Sequence, residues 1–152
     1  MRIPFLGTYP YQMDDKNRVP IPPRYRAQFE DGAVLTIGLE PCVVLYTPEG
    51  FQEASEKVES IPDETEEGRE ARRDFFANAQ PLDKDGQGRL TLAEKWIRHA
   101  GLQKDVVVIG AGKFLEIWDK ATWDNRDSGR TTARRQQTTE MAGRGRAEEA
   151  GS

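Results

Sequence analysis

Two five-residue stretches carry the residue types most suited to a chemical task. Asp14-Asp15-Lys16-Asn17-Arg18 and Asp85-Gly86-Gln87-Gly88-Arg89 share the pattern Asp-x-x-x-Arg. An aspartate opening a tight turn accepts backbone N–H groups a few residues on and fixes the loop. Asn17 and Gly88 precede the arginines, and both residue types tolerate positive φ. A turn closed in this way aims the guanidinium in one direction. An aimed guanidinium donates two parallel hydrogen bonds to O6 and N7 of guanine, with roughly 1–3 kcal/mol of discrimination per pair. The plainer reading is an ion pair that only staples a β-turn, and duplication copies a staple as readily as a contact.

The elements that position these loops repeat with them. Arg18 lies over Arg89 at an offset of 71 residues, with alternating apolar residues after each (Val19 and Ile21; Leu90 and Leu92). Val34-Leu35-Thr36-Ile37-Gly38 then lies over Val106-Val107-Val108-Ile109-Gly110, and Cys42–Tyr46 over Phe114–Trp118 at an offset of 72. Such an ordered series points to an internal duplication. Each copy reads as strand, turn, strand, short helix, strand, turn, strand. The period-two stretches suit half-buried strands and the β-branched runs central strands. Pro22-Pro23 opens the first short helix, and Gly101 is a C-cap for the second. Pro20 within a strand points to an edge position. Between the copies, Pro48-Glu49 starts one helix, and Asp63-Glu64-Thr65-Glu66 has the form of a capping box for another, weakened by Gly68. The predicted organisation is a first module over 5–52, an acidic helical connector over 53–77, a second module over 78–123 and a disordered Arg/Thr-rich tail over 124–152.

Composition narrows the function classes. The 152 residues carry a net charge of −4, which taken alone argues against nucleic acid. The charge is unevenly spread: residues 49–70 hold nine acids and two bases, whereas 14–26 and 84–98 are each net +2. A basic face on an acidic chain is therefore compatible with the sequence. One cysteine, Cys42, excludes an internal disulfide, and one histidine, His99, leaves no zinc-ligand set. Cys42, Tyr46, Trp96 and Trp118 occupy repeat-matched apolar positions and are read as core. His99, near a helix end, is read as a cap or surface residue. No apolar stretch suits a signal peptide or membrane span, and no P-loop, dinucleotide fingerprint or nucleophile elbow occurs. Asp83 and Asp85 have nothing beyond proximity to make them an acid–base pair. The expectation is a cytoplasmic protein that is not an enzyme and uses no cofactor.

Phe5-Leu6-Gly7-Thr8-Tyr9, Asp14 through Pro22, Arg24-Tyr25-Arg26 and Val34 through Glu40 together resemble the first half of MraZ proteins. Phe75-Phe76-Ala77, Asp85 through Arg89, Ala100 through Val106, Ile109-Gly110 and Glu116 through Asp119 extend the resemblance over about residues 5–123. It implies a mainly β, α+β fold: a tandem pair of AbrB-like swapped-hairpin, double-split β-barrel modules with short covering helices. It also implies a nucleoid-associated transcriptional regulator, assembled as a ring-shaped homo-oligomer. Such regulators bind double-stranded DNA at promoter direct repeats upstream of their own cell-division and cell-wall gene cluster. By position, the implied DNA-binding residues are Asp14, Arg18, Asp85 and Arg89, with Lys16 and Arg24 on phosphates. Three positions depart from the family pattern: Asn17 for Gly, Pro20 for Ser or Thr, and Ala93 for Pro. The alternative function is an antitoxin-like or scaffolding interaction module whose Asp–Arg loops are staples only. The arginines of the tail add weak, non-specific phosphate affinity in this reading.

Overall fold

The computed structural model describes residues 3–126, 128 and 129. They divide into a compact unit ending at Lys120 and a second unit beginning at Ala121. In the second unit residues 121–126, 128 and 129 are helical, so the first residues of the expected tail carry regular structure. The rest of the tail, with Arg130, Arg134, Arg135, Arg144 and Arg146, lies outside the described residues.

The first copy forms strands β1 (Thr8–Gln12) and β2 (Arg18–Pro20), a 3₁₀ helix (Pro23–Phe29), strands β3 (Ala33–Ile37) and β4 (Val43–Tyr46), and helix α1 (Pro48–Glu59). The second forms helix α2 (Glu66–Ala77), strands β5 (Gln80–Leu82) and β6 (Arg89–Thr91), helix α3 (Glu94–Ala100), and strands β7 (Asp105–Gly110) and β8 (Leu115–Asp119). Local chemistry explains most boundaries. Thr47 Oγ1 accepts from the Gly50 amide at 3.0 Å, and Pro48 fills the first position of α1, where a missing N–H costs nothing. The cap of α2 is Thr65, not Asp63: Thr65 Oγ1 accepts from the Gly68 amide at 3.0 Å, and Glu66 and Glu67 follow in the first turn, where carboxylates suit the helix dipole. Gly68 is not a defect in that helix, because the Pro62 carbonyl occupies the place a β-carbon would take. Gly101 ends α3 in the left-handed conformation, as the sequence leads one to expect.

The strand pairing joins the copies. Six strands form one antiparallel sheet in the order β1-β7-β8-β4-β3-β5, and β2 pairs with β6 in a separate two-stranded ribbon. Strand β1 of the first copy thus completes the second copy's β7–β8 hairpin, and β5 of the second completes the first copy's β3–β4 hairpin. Val19 pairs with Leu90, its own repeat mate, and Val44 pairs with Glu116, also its mate. An approximate two-fold axis therefore passes between the copies at both places. The fold is mixed α+β with antiparallel strands; the α+β part of the expectation holds, but helices take up at least as many of the described residues as strands, so it is not mainly β. The expectation of a barrel needs correction: among the described residues the strands make an open sheet and a ribbon, with no closure into one barrel. Pro10 and Pro20 fit this layout, since β1 is a sheet edge and both ribbon strands are edges.

One core serves both copies. Val19, Ile21, Phe29, Leu35 and Leu45 pack in the same buried cluster as Leu90, Leu92, Trp96, Leu115 and Ile117. Trp96 is fully buried and donates its indole N–H to the Asn78 carbonyl at 3.0 Å. Trp118, Tyr46 and Cys42 are buried, as their repeat-matched positions indicate. Outside the sheet, Phe51 stacks on Phe75, and Tyr46 meets both edge-on, fastening α1 and α2 over β4.

Candidate nucleic-acid interface

Each Asp-x-x-x-Arg loop carries the chain from the sheet into the ribbon, and the two loops share one geometry. In the first, the Asn17 amide donates to the Asp14 carbonyl at 3.0 Å and the Asp14 amide to the Arg18 carbonyl at 3.2 Å. In the second, the Gly88 amide donates to the Asp85 carbonyl at 3.0 Å and the Asp85 amide to the Arg89 carbonyl at 2.9 Å. The residue before each arginine is left-handed, with φ of 60° at Asn17 and 77° at Gly88. This is a three-residue loop closed by a left-handed residue, which glycine and asparagine reach at the least cost.

The aspartate side chains hold these turns. Asp14 Oδ1 accepts from the amides of Lys16 (3.0 Å) and Arg18 (2.8 Å), and its Oδ2 accepts from Arg18 Nε at 2.6 Å. Asp85 does the same with Gln87 (2.9 Å), Arg89 (2.9 Å) and Arg89 Nε (2.8 Å). Burial pushes the Asp14 carboxyl up, but the Arg18 amide and guanidinium and the Lys16 amide outweigh it, so its pKa lies below the ordinary 3.8. The Asp85 carboxyl is also lowered, first by the Arg89 amide, against some desolvation, and then by the Gln87 amide and the Arg89 guanidinium. Both stay charged at neutral pH. Each arginine is held to its loop carboxylate through Nε. Arg18 and Arg89 side chains are 27% and 26% exposed, so they are neither entombed nor free to wander.

The ribbon sets the loops side by side. The Leu92 amide donates to the Asn17 carbonyl at 2.8 Å, and the Ile21 amide to the Gly88 carbonyl at 2.9 Å. Arg89 Nη1 lies 3.8 Å from Asp14 Oδ2. Asp14, Arg18, Asp85 and Arg89 are thus brought together from positions 71 residues apart. Lys16 is exposed on the first loop. Arg24 engages elsewhere: its Nη1 lies 3.4 Å from the Tyr9 hydroxyl and its guanidinium sits 5.9 Å from the Tyr25 ring centre. That contact lowers the Tyr9 pKa. Arg26, absent from the candidate residues read in the sequence, sits at the second loop. Its Nε donates to the Ile21 carbonyl at 3.0 Å, and its guanidinium fills the space a side chain on Gly88 would need. In the sequence Arg26 appears only as one base of the stretch 14–26 and as part of Arg24-Tyr25-Arg26, and neither signal ties it to the second loop.

Other chemistry is weakly represented. Among the described residues no group of three His, Cys, Asp or Glu side chains is placed to hold a metal ion. No helix among them is long and apolar enough to cross a membrane. His99 Nε2 makes a 3.0 Å contact with the Glu40 carbonyl, joining α3 to the turn between β3 and β4. A cleft of about 750 Å³ between β3–β4 and α1–α2 is lined chiefly by Ile37, Val44, Tyr46, Phe75 and Phe114, away from the ribbon.

Two copies of one strand–loop–strand unit, exchanging strands and pairing their Asp–Arg loops, define a tandem-repeat module. The family profile described as "MraZ protein, putative antitoxin-like" matches twice, over residues 4–74 and 75–145. The chain belongs to the MraZ family. It is 40% identical over 121 residues to the transcriptional regulator MraZ of Kineococcus radiotolerans, covering 80% of this chain and 85% of that one. Identity to the transcriptional regulator MraZ of Kocuria rhizophila is 40% over 119 residues, covering 78% and 83%. To that of Micrococcus luteus it is 38% over 120 residues, covering 79% and 84%. These relatives are named as transcriptional regulators.

Proposed function

We propose that the chain is a sequence-specific DNA-binding transcriptional regulator that reads duplex DNA through the Asp14–Arg18 and Asp85–Arg89 loops. One observation carries this reading above the others: the two loops have the same hydrogen-bond geometry and lie side by side on one ribbon, their arginines held through Nε. Guanidiniums held in place through Nε suit the acceptor edge of guanine in a major groove. Lys16 and Arg24 are assigned to phosphates. The protein works in the cytoplasm at the nucleoid, on direct repeats upstream of its own cell-division and cell-wall cluster. Its modules belong to the AbrB-like swapped-hairpin type, arranged as 5–52 and 78–123 around the connector 53–77. It acts as a ring-shaped homo-oligomer. A ring suits direct repeats, because several weak contacts on a rigid frame gain effective concentration when repeat and subunit spacings agree.

The test is titration of the purified protein with a duplex from upstream of its own gene and with a scrambled duplex, over a range of salt. Preference for the native duplex that persists as salt rises establishes base readout. Equal, steeply salt-sensitive binding to both leaves only phosphate contacts. A second reading has its own support: each arginine is bonded to its loop carboxylate at 2.6–2.8 Å, as a pure staple requires. In that reading the chain is an antitoxin-like or scaffolding module, and neither duplex binds.

A further inference from the structure

The loops alone make a poor phosphate surface. Asp14, Asp15 and Asp85 balance Lys16, Arg18 and Arg89, so residues 14–18 and 85–89 together carry no net charge. Arg18 and Arg89 are already in ion pairs with Asp14 and Asp85. Duplex DNA is met first through its phosphates, and that term grows with each uncompensated cation placed against them.

Arg26 is such a cation. No ion pair joins it to a carboxylate among the described residues. It is half-buried and anchored, its Nε bonded to the Ile21 carbonyl and its guanidinium laid over Gly88. The anchor also touches the ribbon itself, since the Ile21 amide bonds the Gly88 carbonyl at 2.9 Å. A side chain held before its ligand arrives loses little freedom on binding. The repeat mate of Arg26 is Ile97, which packs against the core. The extra cation therefore occurs once per chain, beside the second loop only.

We infer that Arg26 is a phosphate contact of the DNA-facing ribbon, and that it makes the two loops inequivalent, giving the chain a direction on its duplex. The inference rests on the DNA-binding reading and adds a residue and a polarity to it. An approximate two-fold axis between Val19 and Leu90 would otherwise favour a palindromic contact. Arg26 against Ile97 breaks that equivalence, as does Asp15-Lys16-Asn17 against Gly86-Gln87-Gly88.

The experiment compares wild type with Arg26→Gln and Arg26→Lys, titrating each with the upstream duplex and the scrambled duplex at several salt concentrations. Gln keeps an N–H donor near the Ile21 carbonyl and removes the charge; Lys keeps the charge and gives up the planar anchor. The expected result for Arg26→Gln is a fall of about tenfold in affinity on both duplexes and a salt slope lower by about one. Arg26→Lys restores the slope. Thermal melts of all three proteins confirm folding. A wild-type slope in Arg26→Gln overturns the inference while leaving the regulator reading intact. A fall in affinity with no change of slope also overturns it, since Arg26 then only braces the loop. Failure of wild type to bind either duplex removes both readings together.

Discussion

Arg89 Nη1 lies 3.8 Å from Asp14 Oδ2, so an arginine from the second copy leans on the loop carboxylate of the first. No matching pair joins Arg18 to Asp85 among the described residues. The approximate symmetry of the ribbon is thus broken at the site itself. Asp14 is shared between two guanidiniums, whereas Asp85 serves one. Arg18 and Arg89 are therefore not interchangeable, and replacing them one at a time is informative.

Replacing Arg18 separates contact from staple. Arg18→Ala is expected to cost about ten- to a hundredfold in affinity for the upstream duplex, the loss set by one bidentate base contact. Oligomer size and thermal midpoint should change little, because exposed ion pairs add little to stability. Light scattering and a melt accompany the titration. A large loss of stability with unchanged DNA binding would assign the arginine to the turn alone.

Acid offers an independent probe of the loops. Asp14 and Asp85 have folded pKa values below the ordinary 3.8. Their contribution to stability is fully present above that value and is lost as pH falls below it, through the depressed folded values. The thermal midpoint of wild type should therefore exceed that of the Asp14→Asn/Asp85→Asn double variant at neutral pH. The gap should close as the solution is taken below 3.8. Two curves that stay parallel at every pH would show that the carboxylates do not hold the turns.

The left-handed positions make a matched pair. Gly88→Ala forces a β-carbon into a φ of 77° and against the Arg26 guanidinium. A left-handed residue with a side chain costs about 1–2 kcal/mol, seen as a lower unfolding midpoint in urea. Asn17→Gly should be close to neutral, within about 0.5 kcal/mol, because the turn geometry is one that both residues reach. If the two substitutions prove equally costly, the loops are not the rigid turns described above.

Leu35 tests whether the repeats share a core. It is fully buried in the cluster that also holds Leu90 and Leu115. Leu35→Ala should cost about 2–5 kcal/mol and lower the melting midpoint by roughly 5–20 °C. One cooperative transition is expected. A melt that splits in two would mean that the copies unfold separately.

Much of this was legible in the sequence. The duplication, the alternating strands, the Pro48 helix start, the Gly101 stop and the buried Trp96 and Trp118 all follow from local signals. So do the two loops, because Asp, a left-handed residue and Arg at that spacing describe a closed turn. What stayed hidden was partnership. The alternation of Val19 and Ile21 shows which face is buried but not which strand lies alongside. Nothing in Thr8–Gln12 indicates that it pairs with Asp105–Gly110, nearly a hundred residues on. Arg26 was missed for the same reason, since its significance comes from Gly88 in the other copy. The cap of the second connecting helix was misplaced by two residues because several acidic and hydroxyl side chains compete there.

The exchange of β1 and β5 has a further consequence. Neither half of the chain completes its own sheet, so a single repeat on its own would expose two unpaired edges and half a core. It would need a second repeat to fold, and its stability would then fall on dilution. Joining the repeats through α1 and α2 makes that meeting intramolecular, with an effective concentration set by the connector and not by how much protein the cell makes. The pairing of the two Asp–Arg loops is thereby made insensitive to expression level, even though any larger assembly of chains is not.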